Sequence, residues 1–182
     1  MTDRPTNRTT PFKSKDMSRR QVITAATIAL AGTTPALAQT QTDRRTQMPD
    51  NVRFLNPDTM AKPPGYTHVV EVTGPGRTVY FAGQLGLDRS GKLVDGGFRA
   101  QTVQAFENLK AALVSVGGGF EHVVKLNNYL VDIKTNIPML REVRDGYLKG
   151  GPPPASTTVG VPQLARDGAL FEVEAIAILP PK

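Results

Sequence analysis

The last thirty residues constrain the fold most, because they contain two strand-like runs separated by a turn-forming stretch. Residues 153–161 begin with prolines and continue with β-branched side chains. Residues 170–178 alternate apolar side chains with Glu172 and Glu174 before ending in an apolar run. Because side chains alternate between the two faces of a strand, this pattern predicts two closing strands, with both glutamates on one face of the second.

The preceding segments predict more strands and a helix. Residues 68–73 and 77–82 have strand character and flank a Gly-Pro-Gly turn, which predicts a hairpin. Residues 97–116 carry apolar side chains at steps of three and four, which is typical of a helix. Three glycines follow, and glycine readily adopts the left-handed conformation that ends helices.

A further strand and a second helix complete the predicted order. Residues 123–133 are mostly apolar or β-branched and predict a strand. Asn136 is expected to cap a second helix that has Pro138 in its first turn. Strands and helices in this order indicate an α+β fold, in which one mixed sheet carries both helices on one face.

The N-terminal 38 residues have the pattern of an export signal. Paired arginines, Arg19 and Arg20, precede an apolar core of about 11 residues, and an Ala-x-Ala-type cleavage site ends at Ala38. The core is shorter than the ~20 residues that span a bilayer, and the paired arginines resemble a twin-arginine signal. We therefore expect residues 1–38 to be a signal peptide and the protein to be periplasmic; an amphipathic N-terminal helix is the alternative.

The remaining chain divides into a lead-in and one domain. Residues 39–60 are polar and are expected to be largely irregular, whereas residues 61–182 carry the predicted elements. Residues 1–38 hold a net charge of +4 out of the total of +6, so the remainder is close to neutral. Such a balance gives little electrostatic basis for binding nucleic acid. The chain has no cysteine, which excludes thiolate nucleophiles and cysteine metal sites.

The order and wording of several segments resemble the Rid family of reactive intermediate deaminases, also called RidA/YjgF-like. The resemblance covers about residues 66–178, and it rests on residues 64–66, 79–84, 101–110, 123–130 and the closing strand. It implies a chorismate-mutase-like fold and a homotrimer with clefts between subunits. It also implies hydrolysis of enamines and imines of 2-keto acids, such as 2-aminoacrylate, without a cofactor.

The same resemblance suggests which residues form the site. Tyr66 matches a tyrosine that lines the cleft, and Gly83 matches a glycine after the hairpin strand, although Ala82 replaces the serine before it. Glu172 matches the glutamate that positions the attacking water, and Glu174 matches a second carboxylate. Their spacing on one strand predicts that repulsion favours protonation of one of them; interface salt bridges or a solvated face are the alternative.

Two positions depart from the family pattern. Ser156 stands where deaminating members have the arginine that binds the substrate carboxylate, and Arg141 stands where they have a helix asparagine. A serine donates one neutral hydrogen bond, which is weaker than a charge-assisted contact. The alternative is that Ser156 has no role beyond starting a strand. Arg141 is a hypothetical substitute for the missing charge; a solvent-facing arginine is the alternative.

The sequence therefore predicts an exported Rid-family protein that hydrolyses a small enamine, imine or related reactive metabolite in an inter-subunit cleft. We expect no cofactor and no metal, and Ser156 argues against classical 2-aminoacrylate deamination. The expected partners are a small ligand, other copies of the chain and the export machinery, with no nucleic acid. The alternative is a non-catalytic trimer that binds a small ligand or acts as a chaperone. His68 and His122 form no recognisable catalytic or metal pattern, so RNA cleavage has no support.

Overall fold

The computed structural model describes residues 50–182. The predicted signal peptide and residues 39–49 of the lead-in lie outside the described residues. Along 50–182, no helix has the length and hydropathy that crossing a membrane requires. The elements in chain order are β1 Val52–Leu55, β2 Val69–Val72, β3 Arg77–Leu85, α1 Gly97–Ser115, β4 Val123–Leu130, α2 Ile133–Tyr147, β5 Ala155–Gly160 and β6 Phe171–Leu179.

A four-stranded mixed sheet forms the centre of the described chain. Its strand order is β3-β6-β4-β5. Strand β6 pairs antiparallel with both β3 and β4, whereas β4 and β5 run parallel. The two predicted closing strands are confirmed, but β4 lies between them. A parallel pair needs a crossover connection, and α2 supplies it between β4 and β5.

Both helices pack on one face of this sheet, which confirms the predicted α+β arrangement. Every second side chain of β6, beginning with Phe171, is buried, while Glu172 and Glu174 lie on the other face. The rings of Phe106 on α1 and Phe171 stack with centroids 5.8 Å apart. The fully buried large apolar side chains of the core are Phe106, Leu109, Leu113, Val123, Leu126, Leu130, Leu140, Phe171, Val173 and Leu179.

The predicted hairpin between residues 68–73 and 77–82 is wrong. Strand β2 pairs with β1 in a separate two-stranded sheet, in which Arg53 and Glu71 form an ion pair at 2.8 Å. Strand β1 falls within residues 39–60, which the sequence predicted to be largely irregular. Strand β3 pairs instead with β6. The sequence indicates a turn at Gly-Pro-Gly, but it does not show which strands pair. Strand pairing depends on segments that are distant in the sequence and lie outside any local pattern.

Helix α2 begins earlier than predicted. Its first residue is Ile133, and Asp132 before it has a positive φ of 50°. Asn136 lies inside the helix, and its side chain donates a hydrogen bond to the carbonyl of Val131 at 2.9 Å. Strand β4 consequently ends at Leu130 rather than at residue 133. The abrupt change from strand to helix is made by Asp132, because aspartate tolerates the left-handed region better than most residues.

We expect Phe171→Ala to lower the free energy of unfolding by about 3–5 kcal/mol, because a fully buried ring would leave a cavity against Phe106. Val114→Ala is the matched control on the solvent face of α1, where the side chain is 64% exposed, and should change stability by less than about 0.5 kcal/mol. Chemical denaturation of both variants measures this. Equal stability of the two variants would contradict the core assignment.

Candidate active site

One candidate site is the face of the sheet that the helices leave uncovered. Glu172 and Glu174 lie on this face of β6 and are half-buried. The side-chain amide of Asn127 donates to Glu174 Oε1 at 2.6 Å, and the Tyr129 hydroxyl donates to the same oxygen at 3.2 Å. Glu174 is thus held by β4, while Glu172 has no hydrogen-bond donor within residues 50–182. We call these four side chains the carboxylate patch.

Gly83 allows the Glu172 carboxylate to approach the backbone of β3. The pairing of β3 with β6 shifts register between Phe81 and Gln84, so that Ala82 and Gly83 lie in an irregular step of the strand. A Cβ atom at Gly83 would overlap with Glu172 Oε1. The structure therefore brings together Gly83 and Glu172, two residues that the sequence placed in the site.

The environment of the patch makes Glu172 harder to ionise. Burial raises the pKa of Glu172 above its ordinary value, and the neighbouring charge of Glu174 raises it further. Burial also raises the pKa of Tyr129, as does its hydrogen bond to Glu174. The sequence predicted the repulsion between the two glutamates, but burial is the larger cause.

A second candidate site lies between α2 and the start of β5. Three predicted residues line it, namely Tyr66, Arg141 and Ser156. The cavity has a volume of about 350 Å³, which lies in the range of small-molecule sites. We call it the α2–β5 cleft. Its other lining residues are Pro64, Ile137, Leu140, Arg144, Thr157 and Thr158.

Backbone contacts place Tyr66 beside the start of β5. The backbone N–H of Thr67 donates to the carbonyl of Pro154 at 3.1 Å, and its hydroxyl donates to the carbonyl of Pro153. Thr67 also forms an isolated parallel bridge with Ala155. Since Thr67 is buried, these bonds are shielded from water and fix the segment. Residues that are about 90 positions apart in the sequence thereby line one cavity.

A buried asparagine beneath the cleft orients its hydroxyl groups. The Asn128 side-chain amide donates to Ser156 Oγ at 3.3 Å and to Thr158 Oγ1 at 3.4 Å. Asn128 itself is fully buried. Because these hydroxyl oxygens accept from Asn128, each hydroxyl hydrogen is free to donate to another group. Ser156, which lines the cleft, therefore has a hydroxyl hydrogen available to donate to a ligand.

Arg144 is a cleft residue that the sequence analysis missed. Only 6% of it is exposed, and its Nε and Nη2 atoms donate to Asp145 Oδ1 at 2.9 and 2.7 Å. Arg141 is exposed by comparison. A signal was present, because Arg144 is seven positions after Ile137 and four after Leu140, which puts it on the apolar stripe of α2. A charged residue on that stripe predicts burial.

Within one chain, the carboxylate patch and the α2–β5 cleft are separate. Strand β4 lies between β6 and β5, and neighbouring strands are ~4.8 Å apart. Glu172 is paired with Tyr129 of β4, whereas Ser156 is paired with Leu126, whose side chain faces the helices. Glu172 and Ser156 therefore lie on opposite faces and about 10 Å apart across the sheet. One small molecule cannot contact both within a single copy.

The histidines belong to other parts of the fold. The ring of His68 packs edge-on against Tyr66 with centroids 5.3 Å apart, and its Nε2 lies 2.8 Å from the carbonyl of Ala61. His122 is buried beside Gly119 after α1. In the described part of the chain, no three acidic, histidine or cysteine side chains group together as metal ligands would.

The mixed sheet with both helices on one face defines a chorismate-mutase-like α+β protein, and solved structures share this fold. A protein of unknown function of the Rid family from Yersinia pestis is 36% identical, with a TM-score of 0.65 over 71% of this chain and 99% of that one. RidA from an Antarctic Psychrobacter is 37% identical, with a TM-score of 0.53 over 65% of this chain and 92% of that one.

Sequence comparison agrees with the structural likeness. The family model described as "Endoribonuclease L-PSP" matches residues 59–179. The chain therefore belongs to this family, which is the YjgF/RidA/Rid family. A RutC family protein from Aquifex aeolicus is 37% identical over 115 residues, which are 62% of this chain and 87% of that protein. A mouse protein named 2-iminobutanoate/2-iminopropanoate deaminase is 38% identical over 117 residues, 64% of this chain and 82% of that protein.

We expect Glu174→Gln to lower the pKa of Glu172, because it removes the nearby negative charge and retains an oxygen for Asn127 and Tyr129. The pKa should stay above the ordinary glutamate value, since burial is the larger cause of the shift. NMR titration of the Glu172 carboxyl carbon measures this. Glu71→Gln on β2 is the control. An unchanged Glu172 titration in Glu174→Gln would refute coupling within the patch.

Proposed function

We propose that this protein hydrolyses a small enamine, imine or related reactive metabolite, with the Glu172 carboxylate as the group that positions and deprotonates water. The contact between Glu172 and Gly83 carries the proposal. A carboxylate with a raised pKa is better suited to proton exchange near neutral pH than an ordinary one. Relatives named as deaminases of 2-iminobutanoate and 2-iminopropanoate support the reaction type.

The proposed reaction needs only water and a proton carrier. The water oxygen adds to the imine carbon, Glu172 accepts a water proton, and the imine nitrogen is protonated, which gives a carbinolamine. Glu172 then transfers the hydroxyl proton of the carbinolamine to its amino nitrogen, the carbon–nitrogen bond breaks, and ammonia leaves as the carbonyl forms. An enamine enters this route after tautomerising to its imine. Glu172 accepts and returns the same proton, so the step balances without a further reactant.

The complete site is proposed to form between copies of the chain. The carboxylate patch and the α2–β5 cleft lie on opposite faces of the sheet, so a second copy is needed to bring a patch against a cleft. The uncovered face also presents Tyr80, which is 76% exposed on β3. Covering such a face is a common reason for oligomerisation. A homotrimer, as the family resemblance implies, would provide three equivalent sites.

Ser156 narrows the range of substrates that we propose for the site. Without an arginine at this position, a 2-imino acid loses a two-point contact to its carboxylate. We propose that Tyr66, Gly83, Arg141 and Ser156 bind a ligand other than 2-aminoacrylate. The second candidate function is ligand binding without turnover, including a chaperone-like role. It is favoured by Ser156, which replaces the arginine that binds the substrate carboxylate in deaminating members of the family.

We expect the purified protein to accelerate ammonia release from at least one imine, when a panel is generated in situ by an amino-acid oxidase. Glu172→Gln should lower this rate about 100-fold, whereas Glu71→Gln, a matched change on β2, should not. Wild-type protein should leave 2-aminoacrylate near its uncatalysed rate, and Ser156→Arg should accelerate it. Activity of the wild type on 2-aminoacrylate would overturn the interpretation of Ser156. Inactivity of every variant on every imine would favour binding without turnover.

The N-terminal sequence supports a proposal about location, namely export by the twin-arginine route and cleavage near Ala38. Mass spectrometry of the periplasmic fraction should find a mature N-terminus near Gln39. Replacing Arg19 and Arg20 with lysine should retain the full-length chain in the cytoplasm. A full-length chain in the cytoplasm of cells that express the unaltered protein would contradict export.

A further inference from the structure

Arg144 holds a guanidinium at the wall of the α2–β5 cleft, on a different element from the position at which the resemblance expects an arginine. We propose that Arg144 is the residue that recognises the anionic group of the ligand, a carboxylate, in place of an arginine at position 156. This inference rests on the proposed function, because it names the charge that the same site recognises. Since Arg144 lies on α2 and not on β5, a carboxylate bound to it need not have the orientation that an arginine at position 156 would give 2-aminoacrylate. Arg144 would be the specificity-determining residue of the cleft.

The first support is burial. Guanidinium groups are costly to bury without partners, yet only 6% of Arg144 is exposed. Within residues 50–182, its hydrogen-bond partner is Asp145 Oδ1, which accepts hydrogen bonds from both Nε and Nη2. A guanidinium carries five N–H donors, so three remain after these two contacts. Arg144 lines the cleft, and in the described part of the chain only its Nε and Nη2 atoms donate hydrogen bonds, so Nη1 remains available to donate to a ligand there.

The second support is rigidity. Asp145 holds one edge of the Arg144 guanidinium, and Gly65 lies against it, since a Cβ atom at Gly65 would be 2.7 Å from Arg144 Nη2. A side chain that is already held loses less conformational entropy when it binds a ligand. Arg141 is exposed and has no hydrogen-bond acceptor in the described part of the chain. Of the two cleft arginines, Arg144 is therefore the preorganised one.

The third support is the chemistry of the remaining lining. Among residues 50–182, no carboxylate lines the cleft, and Asp145, whose side chain is 63% exposed, lies outside it. Ser156 and Thr158 accept hydrogen bonds from Asn128, which leaves their hydroxyl hydrogens free to donate. A guanidinium together with two hydroxyl donors suits a carboxylate, because its two oxygens accept several hydrogen bonds.

The test uses 2-oxobutanoate as a carboxylate probe and butanone as a neutral analogue, with binding to the full protein followed by NMR. Wild-type protein should prefer 2-oxobutanoate. Arg144→Met should weaken its binding by at least about tenfold and remove the preference over butanone. Arg144→Lys should recover part of the affinity, because lysine keeps the positive charge but lacks the planar two-point hydrogen-bonding geometry of a guanidinium. Arg53→Met, the matched change at an exposed arginine of the two-stranded sheet, should weaken binding by less than about threefold.

A double variant separates recognition from folding. Because Ser156 and Arg144 line the same cavity, Ser156→Arg in the Arg144→Met background should restore binding of 2-oxobutanoate to within about threefold of wild type. Restored binding would also show that Arg144→Met remains folded. Failure of this rescue in a double variant with a native far-UV spectrum would overturn the proposal.

Two further results would overturn it. One is unchanged 2-oxobutanoate affinity in Arg144→Met, and the other is a wild type that binds 2-oxobutanoate no better than butanone. The proposed hydrolysis and the proposed recognition by Arg144 can fail independently of each other. If no imine is hydrolysed but 2-oxobutanoate binding depends on Arg144, the catalytic proposal is wrong and the recognition by Arg144 stands.

Discussion

Strand β6 is the element on which both the core and the candidate chemistry depend. It lies between β3 and β4 in the sheet, and from Phe171 to Ala177 its side chains alternate between two environments. Phe171 and Val173 are fully buried beneath the helices, while Glu172 and Glu174 lie on the opposite face. A register shift of one residue would exchange these sets and bury both carboxylates. Packing of the core therefore fixes where the carboxylates lie.

The second constraint is the attachment of residues 64–67 to the start of β5. Buried hydrogen bonds from Thr67 to Pro153 and Pro154 bring Tyr66 beside Ser156. This attachment forms one wall of the cleft, and the crossover helix α2 forms another. The carboxylate patch and the α2–β5 cleft are thus products of separate packing interactions on opposite faces of one sheet, which is why the proposed site requires more than one copy of the chain.

Local patterns predicted the helices and the last three strands well, because periodicity is a property of neighbouring residues. The same patterns assigned the wrong partner to β2. Its partner in the structure is Val52–Leu55, a segment whose polar and apolar residues do not clearly indicate a strand. The sequence predicted Asn136 as a helix cap, but Asp132 makes the turn into α2. In the structure, Tyr66, Arg141 and Ser156 line one cavity, and the buried Arg144 beside them was missed.

The sequence by itself determined the family, the α+β order and the alternation that places Glu172 and Glu174 on one side of the final strand. It also determined that position 156 carries no charge. Only the tertiary structure decided that Gly83 meets Glu172 at an irregular step of β3, and that Arg144 lies in the wall of the cleft. The reason is physical: periodicity is encoded by residues a few positions apart, whereas the burial of a charge depends on what distant segments pack against it.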